Sequence, residues 1–390
     1  MNKTLCHVTF SEYPKDPRIR RYVNALILEN YRVFVICLKT LNHPFFEHNK
    51  NLTIFRIPVT KKRRGVLSRF LEYVYFQLIA SLLVSYLTFF NNIRIFHTHT
   101  LPDFLVFSCL VPKLLGKKII LDFHELFPEF LMQQNPALTI NSFLIKILLF
   151  QERKSFGFAN HIITFHDPAK EILLSRCNNT KNITTVMNGI DELEVKPIEK
   201  AQTEEFRLIY NGTINANINL QIVIHAFKII KEKYPDTYSK LFLYLYGEGS
   251  EVESLLALAD KLNIKNIKYN KWIEFDDMVK ELGFATACIL PANKDIYSDL
   301  YYSVKLTEMI FFKIPVIASK LDTYLFYYPQ ECLIYFEPGN KEDLVNKIIY
   351  CFNNREELKN FSEKAFDKYQ NYKWEIMKGR YIEIVKSMEI

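Results

Sequence analysis

Glycine is scarce in this chain, with 10 among 390 residues. The first predicted βα turn, Ser11 to Arg21, contains none, so the glycine triplet that lets a dinucleotide-binding turn approach a pyrophosphate is missing. The seven cysteines (6, 37, 109, 177, 288, 332 and 351) are scattered with no Cys-x-x-Cys pair. That pattern suggests neither a zinc site nor a disulfide framework, and it fits a reducing cytoplasm. Only Leu5 to Phe10 precedes the first polar stretch, which is too short for a secretory signal. There is no internal repeat and no low-complexity tract.

What is present is an ordered globular composition, 49% hydrophobic and 24% charged, in a chain long enough for two cores. Short apolar runs alternate with helical patterns throughout. Thr4 to Phe10, Arg32 to Leu38, Ile93 to His97, Lys118 to Phe123, His161 to Phe165 and Thr184 to Met187 read as strands of a first α/β domain. The polar run from Glu192 to Glu205 reads as a linker. Phe206 to Tyr210, Leu241 to Tyr246, Ile267 to Tyr269, Ala287 to Leu290, Pro315 to Ala318 and Leu333 to Phe336 supply a second set. The expected architecture is two Rossmann-like domains facing across a cleft: residues 1–191, a linker 192–205, and residues 206–371. A helix from about Tyr372 to Ile390 carries apolar residues that need cover, and it is expected to return to the N-terminal domain.

Ligands of such sheets gather where strand ends meet helix N-termini. Ser303 can cap a helix running to about Phe312, and Lys305 and Glu308 lie three apart on its first turns, able to face one ligand. A nucleotide suits them, with phosphate at the helix start and ribose hydroxyls on the carboxylate; a solvated ion pair is the plain alternative. Gly212 and Thr213 follow the second domain's first strand, and the glycines of Gly247-Glu-Gly249 permit a tight turn near a ligand. In the first domain Arg18, Arg20 and Arg21 enter the first helix beside the strand ends, suited to a phosphate or an acidic acceptor. His97, His99 and His124-Glu125 end two further strands. Their loops differ and no i, i+4 pair occurs, so no metal site is expected, and His124 reads as a neutral hydrogen-bonding or acid–base group.

Lys61 to Arg64 leads into an apolar segment, Leu67 to Phe90, whose last eighteen residues carry no charge. Gln77, Ser81, Ser85 and Thr88 recur at helical spacing and are read as one polar face, so a packed helix is favoured over a transmembrane span. The basic cluster beside it allows electrostatic docking on an anionic membrane. The formal net charge of +7 favours acidic partners, but no nucleic-acid motif accompanies it and no nucleic-acid role is expected.

With these pieces in place the chain resembles the retaining glycosyltransferases of GT-B fold, family 4 or "group 1", in their bacterial surface-polysaccharide branch. The resemblance covers nearly the whole chain. It is carried by Tyr13-Pro-Lys-Asp-Pro-Arg-Ile-Arg-Arg21, His97-Thr-His-Thr-Leu-Pro-Asp103, Gly116 to Glu129, Asn188-Gly-Ile-Asp191, Lys305-Leu-Thr-Glu308, Pro315 to Ser319 and Tyr372-Lys-Trp-Glu375.

The resemblance implies a cytoplasmic or peripherally membrane-bound hexosyltransferase. It would take a UDP- or GDP-linked donor, without a cofactor, and a glycan or undecaprenyl-diphosphate-linked acceptor. It also implies that Glu308 binds the ribose and that His124 approaches the donor sugar. With no Asp-x-Asp in the chain, a metal-chelating GT-A enzyme is not expected.

Four positions depart from the family pattern. The first glutamate of the E-x7-E motif falls at Leu300, the basic pair after the second domain's first strand at Thr213 and Ile218, and the glycine before the Pro-Val-Ile strand at Lys313. Charged hydrogen bonds are worth roughly 1.5–3 kcal/mol each, so losing both cations removes roughly 3–6 kcal/mol of diphosphate binding. Helix dipoles return only about 0.3–2 kcal/mol. A replacement cation is needed, and Lys305, Lys294 or Arg18 could serve; otherwise the chain is a catalytically silent subunit of the same fold.

Overall fold

The computed structural model describes residues 3–40, 43–59, 65–177, 182–192, 195, 198–201 and 203–389. Lys61 to Arg64 and part of the 192–205 run lie outside the described residues. The chain divides into two compact units, Met1–Asn188 with Trp374–Ile390, and Gly189–Lys373.

Unit 1 is built on an eight-stranded sheet. Its strands are β1 (Thr4–Glu12), β2 (Arg32–Leu38), β3 (Phe46–Asn49), β4 (Leu52–Ile57), β5 (Ile95–His99), β6 (Lys118–Asp122), β7 (His161–Thr164) and β8 (Ile183–Thr185). They lie in the order β3-β4-β2-β1-β5-β6-β7-β8, and all pair in parallel except the β3–β4 hairpin at the edge. The central strands are buried along β5 and along β1 from Thr4 to Thr9, as strands covered on both faces must be. The β3–β4 pair has no counterpart in the sequence analysis, which assigns no strand between Leu38 and Ile93.

The helix Pro17–Leu28 starts from Asp16, whose carboxylate accepts from the backbone N–H of Arg18 and Ile19 at 3.1 and 3.3 Å. The helix Trp374–Ser387 packs on it and belongs to unit 1, with the Tyr22 and Tyr381 ring centroids 4.2 Å apart. Arg380 Nη1 donates to the Thr185 carbonyl at 3.3 Å.

On the long helix Gly65–Phe90 the polar face of Gln77, Ser81, Ser85 and Thr88 is half-buried to buried. The Ser81, Ser85 and Thr88 hydroxyls donate back to the helix's own carbonyls at Gln77, Ser81 and Val84, each at 2.7 Å, and Thr88 is buried. Hydroxyls satisfied in this way need no solvent. Phe76, Ala80, Val84 and Leu87 are buried, while Leu71, Tyr75, Leu78, Leu82, Tyr86 and Phe89 point outward, 46–68% exposed. This helix joins β4 to β5 within one sheet, so its two ends return to the same side of any boundary.

Unit 2 carries a fully parallel six-stranded sheet of β9 (Phe206–Asn211), β10 (Leu241–Tyr246), β11 (Ile267–Asn270), β12 (Ala287–Leu290), β13 (Val316–Ser319) and β14 (Ile334–Phe336). The order is β11-β10-β9-β12-β13-β14. The chain runs outward from β9 through β10 to β11 and then returns to β12 on the other side of β9. The junction of β9 and β12 is therefore a topological switch point, where α/β sheets place their ligands.

Candidate functional site

At the unit 2 switch point two loops run side by side. Gly212 N–H donates to the Tyr246 carbonyl and Ile214 N–H to the Glu248 carbonyl, both at 2.9 Å. The approach is close enough to need glycine. A Cβ on Gly247 (φ +143) or on Gly249 would lie 1.9 Å from the carbonyl oxygen of Gly212 or Ile214 respectively. Thr213 is exposed on this loop, and its carbonyl is held by the Tyr210 hydroxyl at 2.7 Å.

The helix Val304–Phe311 opens into the same region. Ser303 caps it, its Oγ accepting from the Lys305 N–H at 3.2 Å. The Lys305 ammonium donates to both Glu308 oxygens, at 3.2 and 3.0 Å, and its side chain also passes the Cα of Gly212, where an added Cβ would lie 3.9 Å from Cγ. Glu308 is buried to 7% exposure and Lys305 is half-open. So Gly212, Thr213, Gly247, Gly249, Ser303, Lys305 and Glu308 form one cluster. Lys294 is committed elsewhere, to Asp322 at 2.9 Å and Asp299 at 3.5 Å. Leu300 and Ile218 offer no polar group.

In unit 1, strand ends and the first helix converge on a carboxylate that the sequence reading did not single out. Asp122 Oδ1 receives Arg18 Nη2 at 2.5 Å and its Oδ2 receives Arg18 Nε at 3.0 Å. Arg18 also donates to the Val186 carbonyl at 3.4 Å. Arg18 is therefore buried and internally paired, which removes it as the expected group facing a phosphate. Arg20 is half-buried near Tyr13, and Arg21 is buried, bonded to Asn188 and stacked over the Trp374 ring.

Around Asp122 stand His99 Nδ1 and His124 Nε2, each 3.2 Å from Oδ2, and His7 Nδ1 lies 3.0 Å from His99 Nε2. His97 Nδ1 meets the Tyr381 hydroxyl at 3.2 Å. His124 alone among these rings is part-exposed, at 22% of its side chain, and its N–H is fixed by the Thr100 hydroxyl at 2.9 Å. Glu125 beside it is half-buried.

Burial pushes the Asp122 carboxyl up, but the Arg18 charge and the hydrogen bonds from His124 and His99 outweigh it and hold the group well below the usual range. Burial depresses His7 and His97 well below the ordinary histidine value and brings His99 down to about 4. These buried rings are neutral at pH 7. Two sets, His7–His97–His99 and His99–Asp122–His124, bring ligand atoms within 4.8 Å of one another. A divalent ion in either set would stand next to a carboxylate already balanced by a buried guanidinium. The arrangement fits a hydrogen-bond network better than a metal centre.

Residues 18–192 match the family described as Glycosyltransferase Family 4, and residues 191–368 match Glycosyl transferases group 1. A search of curated proteins finds no match. Among solved structures, the chain resembles a sucrose-phosphate synthase from Thermosynechococcus elongatus at 15% identity and TM-score 0.77, over 99% of both chains. It also resembles the Anabaena protein HepE in complex with UDP, at 12% identity and TM-score 0.70, over 99% of this chain and 100% of that one. A third is WaaG, a glycosyltransferase involved in lipopolysaccharide biosynthesis, at 12% identity and TM-score 0.67, over 98% and 99%. Two glycosyltransferase models match the two halves of the chain, which therefore belongs to the glycosyltransferases; with the solved structures it shares the two-unit α/β fold.

Proposed function

We propose that this glycosyltransferase takes a hexose from a UDP- or GDP-linked donor and passes it, with retention and without a metal, to a hydroxyl of a glycan or lipid-linked acceptor in bacterial surface-polysaccharide synthesis. The observation that carries the reading is the convergence of Gly212, Gly247, Gly249, Ser303, Lys305 and Glu308 at one switch point. A diphosphate fits the closely paired loops and the capped helix start, where backbone N–H groups and the helix dipole favour an anion. Lys305 supplies the cation as the glycosidic bond breaks and the diphosphate gains charge. Binding exchanges its ion pair: Lys305 turns to phosphate while Glu308 accepts from the ribose hydroxyls. His124, the open end of the buried network, is assigned to the sugar.

The resemblance in fold to a UDP-bound protein supports a uridine donor as the first choice. The test is donor hydrolysis and transfer across a panel of UDP- and GDP-sugars, with product anomers read by NMR. A retained anomer and activity in chelator support the reading; turnover that needs a divalent ion counts against it.

One observation favours a silent subunit instead. The family's basic pair is replaced by Thr213 and Ile218, and Lys294 is tied to two aspartates, which leaves Lys305 as the cation of the cluster among the described residues. Binding of nucleotide without turnover of any donor would fit that reading.

A further inference from the structure

The outer surface of unit 1 is apolar over an area that its own fold does not cover. Its long helix joins β4 to β5 on the face of the sheet that also carries residues 103–114, Phe143–Phe158 and Asp167–Cys177, because successive right-handed crossovers from β4 to β8 run in one direction. The long helix packs on residues 103–114, and these pack on Phe143–Phe158. Their outward faces therefore form one layer. Leu78, Leu82 and Tyr86 of the long helix are 61%, 68% and 51% exposed. Leu110 and Leu114 continue the surface at 53% and 77%, and Phe143, Ile147 and Phe150 extend it at 80%, 44% and 55%. An exposed apolar layer of this extent marks an interaction surface.

The charges around it decide what covers it. Across the three segments the solvent-accessible charges are Arg69, Lys113, Lys146, Arg153 and Lys154, against a single acid, half-buried Glu72. Glu152 is buried against Arg176 and Asp103 is buried. Phe143, Ile147, Phe150 and Lys154 follow one face of their helix, and the Lys154 ammonium lies 5.2 Å from the Phe150 ring centroid. An aromatic and aliphatic face rimmed by lysine and arginine suits acyl chains below and anionic headgroups at the rim.

The long helix is apolar enough to cross a bilayer by length and composition, at 23 residues from Ser68 to Phe90. It cannot do so here, since its ends feed two strands, β4 and β5, of one sheet and Phe76, Ala80 and Val84 are packed inside the unit. Lying flat, it offers about 35 Å of apolar edge at 1.5 Å per residue.

We propose that this layer seats unit 1 on the surface of an anionic bilayer, with the outward side chains of all three segments inserted to the depth of the headgroup–acyl boundary. Hydrophobic insertion, rather than charge attraction through Lys61 to Arg64 alone, holds the protein there. The surface is independent of the donor cluster in unit 2, and it would bring a lipid-linked acceptor within reach of the enzyme.

The experiment is flotation of the full chain with phosphatidylcholine vesicles containing or lacking phosphatidylglycerol, at low salt and at 1 M salt. Leu78→Asn/Leu82→Asn and Phe143→Asn/Phe150→Asn variants run beside the wild type, with thermal melting and UDP calorimetry confirming that each variant is folded. The wild type should float with anionic vesicles and keep part of that binding at 1 M salt. Each double variant should lose about tenfold or more in partitioning, as the removal of two inserted apolar side chains requires, with melting and UDP binding unchanged. Binding abolished by salt, or unchanged in both variants, overturns the proposal. So does a wild-type dimer that becomes monomeric in the variants and never floats, because a second copy then covers the layer.

Discussion

Arg18 holds Asp122 by both arms, Nη2 to Oδ1 at 2.5 Å and Nε to Oδ2 at 3.0 Å, with neither side chain open to solvent beyond 8%. The pair joins the first helix to the end of β6 and gives two histidines, His99 and His124, a fixed anionic acceptor. Removing one partner of such a pair strands a buried charge. Asp122→Asn is expected to destabilise unit 1 by about 3–5 kcal/mol, while Arg18→Met/Asp122→Asn together cost less than the sum of the singles. Urea unfolding of the three variants checks both figures. At a temperature where all are folded, Asp122→Asn should also lower turnover more than it raises the donor KM, because it releases His124 rather than the nucleotide.

The histidines give a pH dependence with a definite sign. His99 and His161 are each brought down to about 4 by burial, and His7 and His97 lie lower than an ordinary histidine for the same reason. In the unfolded chain they protonate near pH 6.5, so below that value the unfolded state binds more protons. Their contribution to stability is whole above pH 6.5 and is lost as pH falls toward 4. Glu152, raised to about 7 by burial, and Asp103 and Asp299, also raised by burial, work in the opposite direction over part of this window. Four histidines against three acids predict a melting temperature that falls from pH 7 to pH 4.5. His161→Gln, which keeps a hydrogen-bonding group near Thr184, should flatten that slope.

Two glycines of the same chain should respond to alanine in opposite ways. At Gly247 the new Cβ meets the Gly212 carbonyl at 1.9 Å, a backbone atom that moves only if the loop moves. Gly247→Ala is expected to cost about 1–3 kcal/mol through overpacking and to weaken nucleotide binding with it. Gly157 lies in the helix Phe143–Phe158 with open space around its Cα, and alanine there should stabilise by about 0.5–1 kcal/mol. Thermal melts beside UDP titrations distinguish the two.

The parallel strands were legible in the sequence because both their faces are buried and their apolar runs are continuous, as in Val33 to Leu38 and Ala287 to Leu290. The convergence of the unit 2 residues was legible because they lie in local signals: a serine cap, a Lys-x-x-Glu spacing and a Gly-x-Gly turn. Lys313 was legible as a departure, and its φ of +51 shows why a glycine suits that position.

The unit 1 network was not legible, since it depends on residues 104 positions apart meeting through the sheet register. Asp122 then looked like the end of an apolar strand, and Arg18 looked like a group for a phosphate or an acidic acceptor. The exposed apolar face of the long helix was not legible for a different reason. Periodicity locates a polar stripe but does not say whether its hydroxyls turn to water or back to the helix's own carbonyls.

Glu308 carries the central claim, that unit 2 holds a nucleoside diphosphate. Its buried carboxylate accepts from Lys305, and in the proposed reading it accepts from the ribose hydroxyls in its place. The direct test is isothermal calorimetry of UDP and GDP against the full chain and its Glu308→Ala and Glu308→Gln variants. The wild type should bind one of the two nucleotides at a single site. Glu308→Ala should bind it at least tenfold more weakly, as the loss of a charged hydrogen bond of roughly 1.5–3 kcal/mol requires, with Glu308→Gln between them. Absence of binding by the wild type to either nucleotide, or equal affinity in Glu308→Ala, would contradict the account.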